Sequence, residues 1–345
     1  MKSLFCFEAA VRRLIAWFLA TWRCFVFRTK LRTKDCITLM KRAPRWRGVC
    51  HRRTAGAAMF VSMLAVCASS PALAAADSRA MWVWNTNQIL ASQADTNRFI
   101  NGVVTSGATD VYLYLTKNQY TTRHTQLRKL IGTLKKFGVA SWGMDGYRGY
   151  FSDVHGPAEL YAAMEAMATH NRKVVFDERF AGFHADLEPQ DGQGVGPNAF
   201  TNGKRYSALT AAQKKARDAL MTDWVSIYSS MRARTRAVGV RFGAAFPSWV
   251  DDYEGEPVTY PVGGGRKPVL NAMMALVDDY VVMSYNTNPD NAANRVVGEL
   301  AYASELMKQP GVEHPVVHAS VETHKGVGAT VSYGDHATKD NKAAV

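Results

Sequence analysis

The chain has 345 residues and carries 42 Lys and Arg against 29 Asp and Glu, a formal net charge of +13. The excess is local, because residues 1–76 hold 14 of the basic and 2 of the acidic side chains and leave 28 against 27 downstream. A near-neutral body offers no electrostatic footprint for a polyphosphate, which excludes nucleic acid as the reason for the charge.

Residues 1–39 mix Trp, Phe and Arg, and no function is assigned to this N-terminal extension. From Met40 the chain reads Met40-Lys-Arg-Ala-Pro-Arg-Trp-Arg, then Arg52-Arg53, an apolar run from Ala55 to Ala68, and Pro71-Ala-Leu-Ala74. A basic start, a short apolar run and a small-residue cleavage site predict a signal peptide over 40–76 and a secreted or periplasmic product. The run is short for a membrane anchor, so no stable membrane insertion is expected after cleavage. All five cysteines (Cys6, Cys24, Cys36, Cys50 and Cys67) precede Ala76. The body therefore has neither a disulfide nor a thiolate nucleophile, and it can cross an oxidising compartment without mispairing.

Downstream, in 77–345, β-rich apolar runs alternate with helical patterns. Strands are predicted at Met81–Asn85, Asp110–Thr116, Val139–Asp145, Gly182–Glu188, Val240–Pro247, Asp279–Asn286 and Pro315–Thr323. Helices are predicted near Gln93–Ser106, Thr125–Phe137, Pro157–His170, Ala211–Ala237, Leu270–Val277 and Asn291–Lys308. This rhythm predicts an α/β fold of the (β/α)8 TIM-barrel type, with a last helix beginning near Ala337 and the chain incomplete before an eighth strand. An open doubly wound sheet is the alternative, and no Gly-x-Gly-x-x-Gly turn supports it.

Alternation assigns the barrel's inner face. On the fourth strand Gly182, His184, Asp186 and Glu188 share one side; on the seventh, His318, Ser320 and Glu322 do. Polar groups accumulating toward the carboxyl end of a barrel strand mark the mouth of a site. Asp186 and Glu188 lie about 6.5–7 Å apart along the strand, close enough to split each other's pKa, as acid catalysis of glycoside cleavage requires. The bland reading of such a pair is a solvated rim or a helix cap, but Pro189 and the Gly-rich Asp191–Gly196 stretch follow it rather than a helix.

Ala181-Gly-Phe-His-Ala-Asp-Leu-Glu188 resembles the fourth-strand signature Asp-Gly-x-Asp-x-Asp-x-Glu of glycoside hydrolase family 18, the chitinase-like barrels. The resemblance implies that Glu188 is the general acid and that Asp186 orients the substrate's acetamido group. Met283-Ser-Tyr285-Asn286 is similar to the family's Met-x-Tyr-Asp, which implies contacts from Tyr285 and Asn286 to the N-acetyl group. The chain departs from the pattern at Ala181, His184 and Asn286, where the family has Asp. Bacterial glycosidase-like barrels of undefined activity, with a Gly-x-His-x-Asp-x-Glu-Pro fourth strand and a Val-Glu-Thr seventh, are the closest resemblance.

Glu322 offers a second arrangement. A Glu on strand four with a Glu on strand seven resembles the retaining-glycosidase clan, which implies Glu188 as acid/base and Glu322 as nucleophile; Glu322 could instead line the site beside His184 or His318. Sugars bind through aromatic faces and hydroxyl acceptors. Trp82, Trp84, Tyr114, Trp142, Tyr147 and Trp249 supply the aromatics, with Trp84 and Trp249 ranked first, and Asp145 a hydroxyl contact. No close-spaced His pair suggests a metal, Gly263-Gly-Gly265-Arg-Lys lacks the ending of a phosphate loop and reads as a flexible excursion, and no Gly-x-Ser-x-Gly occurs. The sequence thus predicts a cofactor-free O-glycosyl hydrolase acting on a polysaccharide or oligosaccharide. The alternative is a non-catalytic carbohydrate-binding barrel or an inactive fragment of a glycosidase-like protein.

Overall fold

A computed structural model describes residues 78–151, 156–191 and 204–336, all within the compact unit Ala75–Val345. The signal-peptide reading, most of the Gly-rich stretch after Glu188 and the helix expected near Ala337 lie outside the described residues.

Seven strands form one sheet: β1 (Ala80–Val83), β2 (Asp110–Tyr114), β3 (Ala140–Asp145), β4 (Gly182–Asp186), β5 (Arg241–Pro247), β6 (Asp279–Met283) and β7 (Val316–Ala319). Every neighbouring pair is parallel, and the spatial order follows the chain order. Helices fill the crossovers: α1 (Gln93–Thr105), α2 (His124–Lys136), α3 (Ala158–Lys173), α4 (Ala211–Val238), α5 (Val269–Met274) and α6 (Val297–Met307).

Sequence alternation sorts the two faces. Val111 and Leu113 of β2, Phe183 and Ala185 of β4, Phe242 and Phe246 of β5, and Tyr280 and Val282 of β6 face the helices in one large core. There they meet Leu127, Leu130 and Leu134 of α2, Met164 and Met167 of α3, and Leu220, Trp224 and Met231 of α4. Each of these leucines recurs at helical spacing, and full burial of one contributes about 1.5–3 kcal/mol. A separate cluster of Tyr112, Trp142 and Met144, with Trp82 and Tyr114 against it, occupies the opposite face.

That inner face is concave. In a flat sheet β1 and β4 would lie about 14 Å apart. Yet Trp82 Nε1 of β1 donates to His184 Nε2 of β4 at 3.1 Å, and His184 stacks on Tyr112 of β2 with centroids 4.0 Å apart. Asp279 of β6 acts electrostatically on Tyr112, and His318 of β7 on His184. The sheet therefore curls around a packed interior, as barrel strands in sequential order do.

Local signals set the helix ends. Ser92 caps α1 by accepting from Asp95 N at 3.0 Å, and Thr210 and Gln213 form a reciprocal capping box on α4, which ends at Gly239 with φ 71°. The structure corrects three sequence expectations. Gly263 and Gly264 are not a flexible excursion: with φ of 56° and 83° they turn an antiparallel hairpin, Thr259–Val262 with Gly265–Pro268. Two successive residues at positive φ match the twist of a tight hairpin. The predicted helix Asn291–Lys308 is two helices, Pro289–Asn294 and α6. The seventh strand stops at Ala319, so Glu322 lies in irregular chain, bridged to Ser332.

Candidate active site

Asp186 closes β4, and Glu188 follows it at the carboxyl ends of the strands. Gly146, just past β3, is packed so tightly on Asp186 that a Cβ there would sit 2.8 Å from the Asp186 Cβ. Only glycine lets the two strand ends approach this closely. Gln190 Nε2 donates to Glu188 Oε2 at 2.6 Å and so fixes one face of that carboxyl. Behind the strand, the fully buried Tyr228 of α4 has its phenol held protonated, first by burial and then by Asp186.

Tyr285, just past β6, feels acids from the ends of β4 and β7. Burial raises its pKa far above the ordinary phenol value, and Asp186, Glu322 and Glu188 raise it further in that order. The phenol thus lies in the field of all three carboxylates and stays a hydrogen-bond donor at all ordinary pH. The geometry is held by Ser284 Oγ, which donates to Ser320 O at 2.8 Å and ties the end of β6 to that of β7. Glu322 is turned onto its own loop: Oε1 accepts from Thr323 N at 2.7 Å and from His324 N at 2.6 Å. Asn286 also holds a turn, its Oδ1 accepting from Asn288 N at 2.9 Å.

The aromatic residues divide. Trp84, 48% exposed just past β1, pairs with Tyr114 at 5.4 Å between centroids and forms an open platform at the strand ends. Asp145 is buried beside it and accepts from Tyr150 OH at 2.7 Å; burial raises its pKa and the Tyr150 bond works against that rise. Tyr147 is exposed and lies edge-on to Tyr150. Trp249 packs against Trp224 and Tyr253, part of the layer between sheet and helices. Trp82 and Trp142 lie inside the barrel, where Trp142 Nε1 donates to Asp110 at 2.8 Å beneath the Arg241 guanidinium.

His184 and His318 sit in that interior, one pleat below the carboxylates. Since an indole N–H only donates, His184 Nε2 must accept and its proton resides on Nδ1. Burial, then the nearby His318, lowers the His184 pKa to about 3, so the imidazole is neutral. His318 Nε2 lies 3.5 Å from Asp279 Oδ1, and the Asp279 carboxylate pairs with Arg241 at 2.8 Å.

Sequence reasoning passed over Gln190, Tyr150, Asp279 and Arg241. Asp279 was visible as an acid opening an apolar strand, whereas its pairing with Arg241 depends on the register of β5 and β6, which sets Asp279 opposite Gly243. Nothing local marked Gln190 or Tyr150, because each acts through a turn. A hollow of about 940 Å3 between α1 and α2, lined by Gln93, Arg128 and Lys136, lies on the helical outside and away from these groups. Among the described residues no three His, Cys, Asp or Glu side chains gather as metal ligands.

No family model and no curated protein matches the chain. Solved structures do. A family 18 chitinase from Cycas revoluta in complex with (GlcNAc)3 is 12% identical over 77% of this chain and 80% of that one, with a TM-score of 0.42. A chitinase from Chromobacterium violaceum is 12% identical over 66% of this chain and 64% of that one, at 0.36. The spore cortex-lytic enzyme SleL of Bacillus megaterium is 14% identical over 74% and 54%, at 0.38. The chain spans under two thirds of the length of the Chromobacterium and Bacillus proteins.

Proposed function

We propose that this chain is an exported glycoside hydrolase in which Glu188 is the general acid. The reading is supported by Asp186, Glu188 and Glu322 all acting electrostatically on the buried Tyr285, from chain that follows the carboxyl ends of β4, β6 and β7. Glu188 delivers a proton to the glycosidic oxygen, and the Gln190 bond sets the direction from which it does so. Asp186, braced by Gly146, and the protonated Tyr285 present an acceptor and a donor to the sugar substituent flanking the scissile bond. An acetamido group has the matching amide N–H and carbonyl, so oligomers of N-acetylglucosamine are the first substrates to try. Glu322, whose Oε1 is committed to two backbone N–H groups, lines the site and secures the loop after β7.

A second reading, a carbohydrate-binding barrel without turnover, is favoured by His184 and Asn286 at positions where the resembling motifs carry Asp. Incubating the protein with N-acetylglucosamine oligomers while following both binding and new reducing ends separates the two. Binding with release of shorter oligomers supports the hydrolase, binding alone supports the second reading, and neither rejects both.

A further inference from the structure

A small cavity of about 290 Å3 between α2 and α3, on the outside of the barrel, is lined by His124, His170, Tyr120, Thr121, Thr169 and Lys173. His124 Nε2 and His170 Nδ1 are both buried and have no hydrogen-bond partner. Their rings stand 5.0 Å apart at 61°.

The tautomer of His170 follows from its other nitrogen. Nε2 lies 3.2 Å from the Glu178 carbonyl oxygen, which can only accept, so Nε2 carries the proton and Nδ1 keeps its lone pair. Leaving a buried acceptor unsatisfied costs about 1–3 kcal/mol, so His170 Nδ1, beside the likewise unpartnered His124 Nε2, calls for a ligand in the cavity that both residues line. An imidazole that donates one N–H to a backbone carbonyl while turning the other nitrogen inward is the arrangement that orients metal-binding histidines. With metal–nitrogen bonds of about 2.0–2.1 Å, two imidazoles on one tetrahedral ion have centroids on the order of 5 Å apart.

The rings are held for this. Phe180 lies edge-on to His170 at 5.2 Å, and Asn171 clamps the Phe180 backbone in both directions, donating to its O at 2.9 Å and accepting from its N at 2.8 Å. Lys173 on the rim opposes an incoming cation. The Glu178 carboxylate favours one, although Arg128 already engages it at 2.6 Å.

We propose that His124 and His170 form a two-imidazole site for a divalent transition metal of the zinc, cobalt or nickel kind, with the remaining positions open to water. Nitrogen donors without a carboxylate select these ions over magnesium and calcium.

The test is a titration of the full chain with Co2+, read by its visible absorption, and then displacement with Zn2+. The expected result is saturable binding of one equivalent that weakens at least about tenfold in H124A and in H170A, with Zn2+ raising the Tm of the native protein but not that of H124A. His124 is only partly buried, so H124A carries the test even where H170A fails to fold. Equal Co2+ affinity in the native protein and H124A, or no saturable binding at all, overturns the proposal and leaves a water bridge between the rings.

Discussion

Trp82 on the first strand donates its indole N–H to His184 on the fourth, across the inside of the barrel. The bond both records the curvature of the sheet and fixes the protonation state of the residue beneath Asp186. Replacing Trp82 with Phe keeps the aromatic bulk but leaves His184 Nε2 buried without a donor. A loss of about 1–3 kcal/mol is expected, read as a lower urea midpoint with unchanged slope.

His184 also gives a pH dependence. Its folded pKa, about 3, is below the ordinary value of about 6.5, so the unfolded chain takes up the proton first as pH falls. Its contribution is fully present above pH about 6.5 and declines by about 1.4 kcal/mol per pH unit below it, until the folded protein is protonated near 3. Urea unfolding at pH 7, 6 and 5 should show this slope in the native protein and lose it in H184F.

Glu299 acts with the opposite sign. It is buried on α6, and burial, then Asp251, raises its pKa to about 8, with its own backbone N–H working against that rise. The folded protein keeps the proton where the unfolded chain has lost it, so stability is full below pH about 4.5 and falls as pH rises toward 8. E299Q should be more stable than the native protein at pH 8, with the gap closing at pH 5; a constant gap would show that Glu299 does not titrate in this way.

Trp84 and Tyr114 offer a sugar-stacking surface that owes little to the core. W84A should weaken oligosaccharide binding about tenfold, near the 0.5–1.5 kcal/mol of an aromatic contact, while shifting Tm little. Calorimetric titration checks the first and a thermal melt the second.

Much of this was legible in the sequence because burial on two faces leaves a periodic record. All seven strands and the alternation of β4 were visible, since Phe183, Ala185 and Leu187 are apolar where His184 and Asp186 are not. What escaped depends on contacts distant in the chain. Trp249 follows β5 and looked like a mouth aromatic, but Trp224 on α4 draws it into the outer layer. Val321 and Glu322 continue the alternation of β7 in the sequence, but the strand ends at Ala319, where Ser284 and Ser320 close the pairing. The hairpin after β5 is set by Gly263 and Gly264 but anchored by Arg266, which reaches Asp218 at 2.7 Å and Tyr206 at 2.9 Å. No local pattern announces that anchor.

The role of Glu188 is tested most directly by comparing hydrolysis of N-acetylglucosamine oligomers by the native protein and by E188Q, with binding of the same oligomers measured in parallel. A general acid contributes about 10²–10⁴-fold, so kcat should fall by that factor while Kd changes little. Unchanged kcat in E188Q, or no turnover by the native protein despite tight binding, would contradict the assignment of Glu188 as the acid.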